Sequence, residues 1–402
     1  MALQLILLYC FIFLSMILSF FYLMILLDRT TLKFKPLKKF PEVTFVIPAF
    51  NAEDDIEKNI KSIFDSDYPK KKIKVIVVND GSTDKTLQIL NSLRKKYPIQ
   101  ILTKKNEGKK VYALNYGVKE VKTPYTVVLD ADTVISKDLL KKSIQRFEDP
   151  KIMAVTCKMT PDSRKTFLDR MQVIEYAFSS YFRDILHSAN SLQTTPGCSV
   201  FRTSFFSSYG LFDTANITED LEMGLRIQSH HYDIGYVFDS FASTRVPEKL
   251  NKLLKQRTRW GYGILYNLFK YRRLFNLEYG DFGIFFLPSM LFGILTLLGA
   301  LTLAGYNIIS YLINFIHHLA LGWVPVFATN LFDILISVSQ LKIILSIFIF
   351  LIALVIFFIV KKSNDQINLL DFVEYSVIYN WFLAYVYIAV IFKFIFRIEE
   401  KW

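Results

Sequence analysis

The chain predicts an α/β domain with a mostly parallel sheet, joined to α-helical membrane spans. Three observations carry this reading. Short β-branched runs alternate with helical stretches through the middle of the 402 residues, each run ends in turn residues, and both flanks are far more apolar than the middle.

The runs are VTFVIPAF (43–50), KVIVVND (74–80) and YTVVLDAD (125–132). Strands this apolar, with little in-and-out alternation, fit a parallel sheet covered on both faces. Helices are expected between them, over 53–64, 84–96 and 110–121. Ligands of such sheets bind beyond the carboxyl ends of the strands. Asn51, Asp80 and Asp132 fall there.

Residues 5–27 carry no charged side chain, and as a helix they are long enough to cross a hydrocarbon core of about 30 Å. MALQ lacks the charged start of a cleaved signal and LLDRTTLKFK lacks its small-residue exit, so residues 1–30 read as a retained anchor. Later spans are expected near 284–305, 341–360 and 373–396, roughly three in a C-terminal region 284–402. The stretch 306–340 is apolar but interrupted by Asn307, Asn314, His317, His318, Pro325, Asn330 and Asp333, and reads as an external or re-entrant segment. Arg29, Lys33, Lys35, Lys38 and Lys39 follow the first apolar run, and Lys361 and Lys362 follow another. This positive-inside pattern puts a domain at 41–245 in the cytoplasm and the protein in the plasma membrane. It also accounts for the formal charge of +12 without nucleic acid as a partner. Cys10, Cys157 and Cys198 have no paired metal-binding spacing and read as free thiols.

Four short motifs bear on chemistry. In VIVVNDGSTDKT, Asp80 ends a strand before Gly81, leaving a carboxylate at the sheet's edge. Taken alone, this is also what a capped turn looks like. In LDADT, alternate residues of an extended chain point the same way, so Asp130 and Asp132 converge. Two such carboxylates repel unless a cation compensates, and a hard ion, Mg²⁺ or Mn²⁺, suits them better than zinc. ITEDLEMGLRI puts Glu219 and Asp220 at a helix start, which the helix dipole alone would favour. QRTRW lies in a basic amphipathic stretch within 246–280, which by itself also suits an interfacial helix anchored by Trp and Arg.

NDGSTD, DAD, TED and QRTRW in this order resemble the inverting family 2 glycosyltransferases of GT-A fold, in the branch of cellulose, chitin, hyaluronan and poly-N-acetylglucosamine synthases. The likeness covers roughly residues 40–275. It implies that Asp80 reads the nucleotide base, with Ala49 and Glu53 lining the same pocket. Asp130 would lie at the ribose or diphosphate, and Asp132 would hold the metal. Lys110 of KKVYALN would serve the donor, although Lys109 stands beside it where a small residue is usual. Asp220 would be the general base. Glu219, Trp260 and Gly197 of TPGCSVFR would lie on the acceptor side, Arg259 would clamp the diphosphate, and Gln256 and Arg257 would face the diphosphate or product. Glu175 and Tyr176 of QVIEY resemble a further family segment and also read as part of an amphipathic helix.

The resemblance further implies a nucleotide-sugar donor, a UDP-sugar foremost, a polysaccharide acceptor, the bilayer itself and room for a partner subunit. Four spans are few for a secretion channel, so single transfer to a lipid acceptor stands as an alternative. A non-catalytic scaffold of an export system is a second one.

Overall fold

The computed structural model describes residues 37–321 and 367–396, together with 357, 358 and 361. The expected anchor at 5–27 and all of the expected span at 341–360 but 357 and 358 lie outside them. The chain divides into two units, one ending at Pro288 and resuming at Tyr385, the other being Ser289–Ala384.

The first unit is built on one sheet of strands β1 (Val43–Ala49), β2 (Ile73–Asp80), β3 (Ile99–Lys104), β4 (Tyr125–Leu129), β5 (Thr133–Ile135), β6 (Ile152–Pro161), β7 (Cys198–Arg202) and β8 (Asp233–Thr244), in spatial order β3-β2-β1-β4-β7-β6-β8-β5. Its helices are α1 (Ile56–Phe64), α2 (Thr86–Leu93), α3 (Lys110–Val118), α4 (Leu139–Gln145), α5 (Phe167–Ser188), α6 (Thr203–Tyr209), α7 (Glu219–Ser229) and α8 (Leu250–Lys270). Every residue of β1 is buried, and Phe45 and Ile47 pack into one core with Ile56, Ile60 and Ile63 of α1. Burying a side chain of this size contributes about 1.5–3 kcal/mol, which is why the sequence pattern is legible here. Helix α3 lies close on the other face: a Cβ at Gly117 would stand 2.5 Å from Val46.

The sheet is mixed: among the described residues four of its seven strand pairings are parallel, in keeping with a mostly parallel sheet, and three are antiparallel. From β3 to β4 all pairs are parallel. Strand β7 then runs antiparallel to both β4 and β6, β8 is parallel to β6, and β5 is antiparallel to β8. The physical reason lies in how β7 is entered. It starts opposite the end of β4, with Cys198 paired to Leu129, so the loop that leads into β7 stands at the carboxyl edge where Asp130 emerges and the strand runs away from it. Cys157 and Cys198 are both buried and free, on neighbouring strands β6 and β7.

Helix α9 (Leu287–Ala320) begins close to an expected span but does not stop near residue 305. It continues through Asn314, His317 and His318, because polar side chains need not break a helix: His318 Nδ1 bonds the Asn314 carbonyl one turn back at 2.7 Å. The last helix among the described residues is α10 (Leu369–Ile395). Among the described residues it is the one helix long and apolar enough to cross a membrane.

Candidate active site

Two loops at the carboxyl edge of the sheet are laced together. Asn51, held at φ +50° after β1, donates its N–H to Ser82 Oγ at 3.1 Å and accepts from the Thr83 N–H at 2.8 Å. Ala52 N–H reaches Thr86 Oγ1 at 2.8 Å, Glu53 N–H reaches Asp84 Oδ2 at 3.1 Å, and Lys85 N–H returns to Glu53 Oε2 at 2.9 Å. The polar residues of DGSTD thus bond mainly to the neighbouring loop, and bring Ala49, Glu53 and Asp80 to one edge. Asp80 is buried at the end of β2, where Lys104 of β3 pairs with it at 3.1 Å.

Beyond β4 the carboxylates gather around one lysine. Lys110 Nζ pairs with Asp130 Oδ1 and stands 3.3 Å from Glu219 Oε1. Burial alone would lower its pKa, but the charges of Asp130 and Glu219 outweigh this and hold it above the ordinary lysine value. Lys109 points elsewhere, donating to the Thr214 carbonyl at 2.9 Å. Burial first, and then the charge of Asp130, pushes Asp132 up to about 6. Burial and then Glu219 likewise raise the Asp220 carboxyl above its ordinary range.

Residues to which the motifs gave no role build this cluster. Asn59 of α1, fully buried, donates to the carbonyls of Asp130 and Thr133 at 2.9 and 2.6 Å. Thr195 anchors the Asp220 carbonyl through both its N–H and its hydroxyl, at 3.2 and 2.9 Å. Single polar residues on helices or loops carry no sequence period, so only the fold reveals them.

Asp130 and Asp132 fit a hard divalent ion. Thr133 and Thr244 hydroxyls, at 3.2 and 3.3 Å, both donate to Asp132 Oδ1, and neither reaches its Oδ2. A carboxyl raised by burial and a like charge gains from a cation, and Mg²⁺ or Mn²⁺ needs few protein oxygens when diphosphate and water complete its shell. Groups of three or more ligating side chains are absent among the described residues.

Gly197 lies against Asp130. Its carbonyl accepts from the Asp130 N–H at 2.8 Å, and a Cβ there would sit 2.3 Å from Asp130 Oδ2. Gly197→Ala is expected to cost about 1–3 kcal/mol through overpacking and to displace Asp130 from Lys110. The midpoint of thermal unfolding should fall, and nucleotide affinity with it.

Helix α8 carries QRTRW and is bolted to the start of α7. A Cβ at Gly263 would meet Thr218 at 2.3 Å. Beside this contact Asn267 bonds Asn216 at 2.7 Å and Thr218 Oγ1 at 3.0 Å, all buried. Arg259 donates to the Ile217 carbonyl at 3.4 Å, and its charge acts on Asp220. Arg257 is turned away from this group. It is 4% exposed and forks onto Glu175 of α5, Nε to Oε1 at 2.9 Å and Nη2 to Oε2 at 2.6 Å. Gln256 accepts from the same guanidinium, whose Cζ lies 4.2 Å from the centre of the Trp260 ring.

The sequence profile of Glycosyltransferase like family 2 matches residues 41–263, more than half of the chain. The chain belongs to this glycosyltransferase family. Over 226 residues the glycosyltransferase is 32% identical to the poly-β-1,6-N-acetyl-D-glucosamine synthases of Staphylococcus epidermidis and Staphylococcus aureus, a match covering 55% of this chain and 54% of each relative. The glycosyltransferase therefore spans about half the length of these curated relatives. In fold it is similar to a mannosyltransferase from Pyrobaculum calidifontis in complex with GDP-Man and Mn²⁺, at a TM-score of 0.57 and 20% identity over 77% of this chain and 92% of that one.

Proposed function

We propose that this glycosyltransferase moves N-acetylglucosamine from its UDP-linked donor, with inversion, onto a growing polysaccharide at the cytoplasmic face of the plasma membrane. The observation that carries the reading is Lys110, which ties Asp130 to Glu219 and so joins the donor-side carboxylates to Asp220 in one charge network. The likeness to poly-N-acetylglucosamine synthases supports the choice of sugar. The apolar length of α10 supports the membrane.

In this mechanism Asp220 takes the proton of an acceptor hydroxyl as that oxygen attacks the anomeric carbon. The nucleoside diphosphate leaves from the opposite face, so configuration inverts in one displacement. Lys110 and Arg259 offset the charge that grows on the departing diphosphate. Asp132, with Asp130 beside it, would hold Mg²⁺ or Mn²⁺, which neutralises diphosphate charge when bound. Asp80, Ala49 and Glu53 would line the base pocket, while Trp260 would offer an acceptor sugar its flat apolar face.

Nucleotide release by the full chain in lipid, with Mn²⁺ or Mg²⁺, is the test. Across UDP-N-acetylglucosamine, UDP-glucose, UDP-glucuronate and GDP-mannose, turnover is expected with the first, with a polymeric product. A product one sugar long on a lipid would replace polymer synthesis with single transfer. Failure of a folded protein to bind any of the four would favour the scaffold reading.

The raised pKa of Asp220 sets a sign. The base must be deprotonated, so kcat/KM is expected to fall, as the medium is acidified, at a higher pH than the limb near about 4 of an ordinary carboxylate. Removing the neighbouring charge by Glu219→Gln should move that limb to lower pH. A pH profile of both proteins checks it.

A further inference from the structure

Arg257 sits inside QRTRW, but its geometry suits a different task from a direct grip on diphosphate. The guanidinium is almost wholly buried, and its fork is matched atom for atom by the Glu175 carboxylate. A planar guanidinium gripped at two nitrogens has little freedom to rotate. It lies 4.2 Å from the Trp260 ring centre and 6.0 Å from that of Tyr176. A cation at this distance over an indole attracts the ring face and restrains its tilt.

The grip comes from a rigid helix. Thr166 and Asp169 form a reciprocal capping box at the start of α5. One turn on, Gln172 donates to the Pro247 carbonyl at 3.0 Å, fastening α5 to the segment that leads into α8. Glu175 and Tyr176 follow at three and four residues beyond Gln172, on the same helix face.

We propose that Glu175 is a positioning residue: by clamping Arg257 it fixes the plane of the Trp260 indole and so the surface on which an acceptor sugar stacks. The acceptor part rests on the role given to Trp260 above. On this account Arg257 acts through Trp260, while Arg259, on the Asp220 side, is the arginine that meets the donor.

The test uses the full chain in lipid with Glu175→Gln or Arg257→Lys. Glu175→Gln keeps size and one acceptor oxygen; Arg257→Lys keeps charge but loses the fork. Each is also made in a background where Trp323, Trp381 and Trp402 are replaced by phenylalanine, so that emission reports Trp260 alone. Both variants should shift Trp260 emission and roughly double its quenching by acrylamide. The KM for an added β-1,6-linked N-acetylglucosamine oligosaccharide is expected to rise roughly tenfold, while the KM for UDP-N-acetylglucosamine stays within about twofold. Unchanged emission and quenching in both variants would overturn the clamp, whatever the kinetics. Altered emission with an unmoved oligosaccharide KM would uphold the clamp and overturn the acceptor role of Trp260. A rise in donor KM matching that for the oligosaccharide would overturn the proposal in favour of a donor-side Arg257.

Discussion

Asp220→Asn is expected to lower sugar transfer by about 10²- to 10⁴-fold, the range associated with a positioned general base, while the folded protein still binds UDP. Asparagine fills the same volume at the start of α7 and cannot accept the proton. Thr195 holds the Asp220 backbone carbonyl, not its carboxylate, so the substitution leaves that anchor in place. The raised pKa of Asp220, caused by burial and then by Glu219, makes the carboxylate a stronger base than a solvated one. Single-turnover transfer measured beside UDP binding separates the two effects. Equal loss of both would point to a structural role and remove Asp220 from the chemistry.

Lys110→Met should be the other severe change, and the more destabilising of the two. Asp130, Asp132, Glu219 and Asp220 would then face one another without the ammonium that now compensates them, and an anionic nucleotide would be added to that field. Nucleotide affinity is expected to fall about a hundredfold, equivalent to ~2.7 kcal/mol. Removing one partner from a buried ion pair costs about 3–5 kcal/mol. Lys110 is 28% exposed, so water screens part of this and a loss nearer ~2 kcal/mol is expected. Titration calorimetry and thermal unfolding read the two numbers. Lys109→Met is the control: its ammonium bonds the Thr214 carbonyl, and nucleotide affinity should stay within about threefold.

Several features were open to reading from residue order. The first strands were, because β1, β2 and β4 are almost entirely buried and their apolar runs record it. So was the placement of Asp80, Asp130 and Asp132 at one edge, since strand ends in an α/β sheet share that edge; residues 130–132, however, form a turn after β4, with Thr133 N–H donating to the Asp130 carbonyl, and not the extended run expected of LDADT. Strands β3 and β5 to β8 were harder. Several are interrupted by polar residues or bulged, as where β6 meets β8, and a two-residue period is easily lost in such runs.

By itself, then, residue order determined the α/β class, the carboxylate-bearing strand ends and the family. All of these rest on local runs and short motifs, whose signal is contained within a few neighbouring residues. Tertiary structure alone decided that β7 runs antiparallel and delivers Gly197 to Asp130. It also decided that Lys110 and not Lys109 joins the carboxylates, and that Arg257 belongs to Glu175. Each of these outcomes is a pairing between groups distant in the chain. The energy of such a pairing depends on separation and burial, and neither is encoded in any one segment.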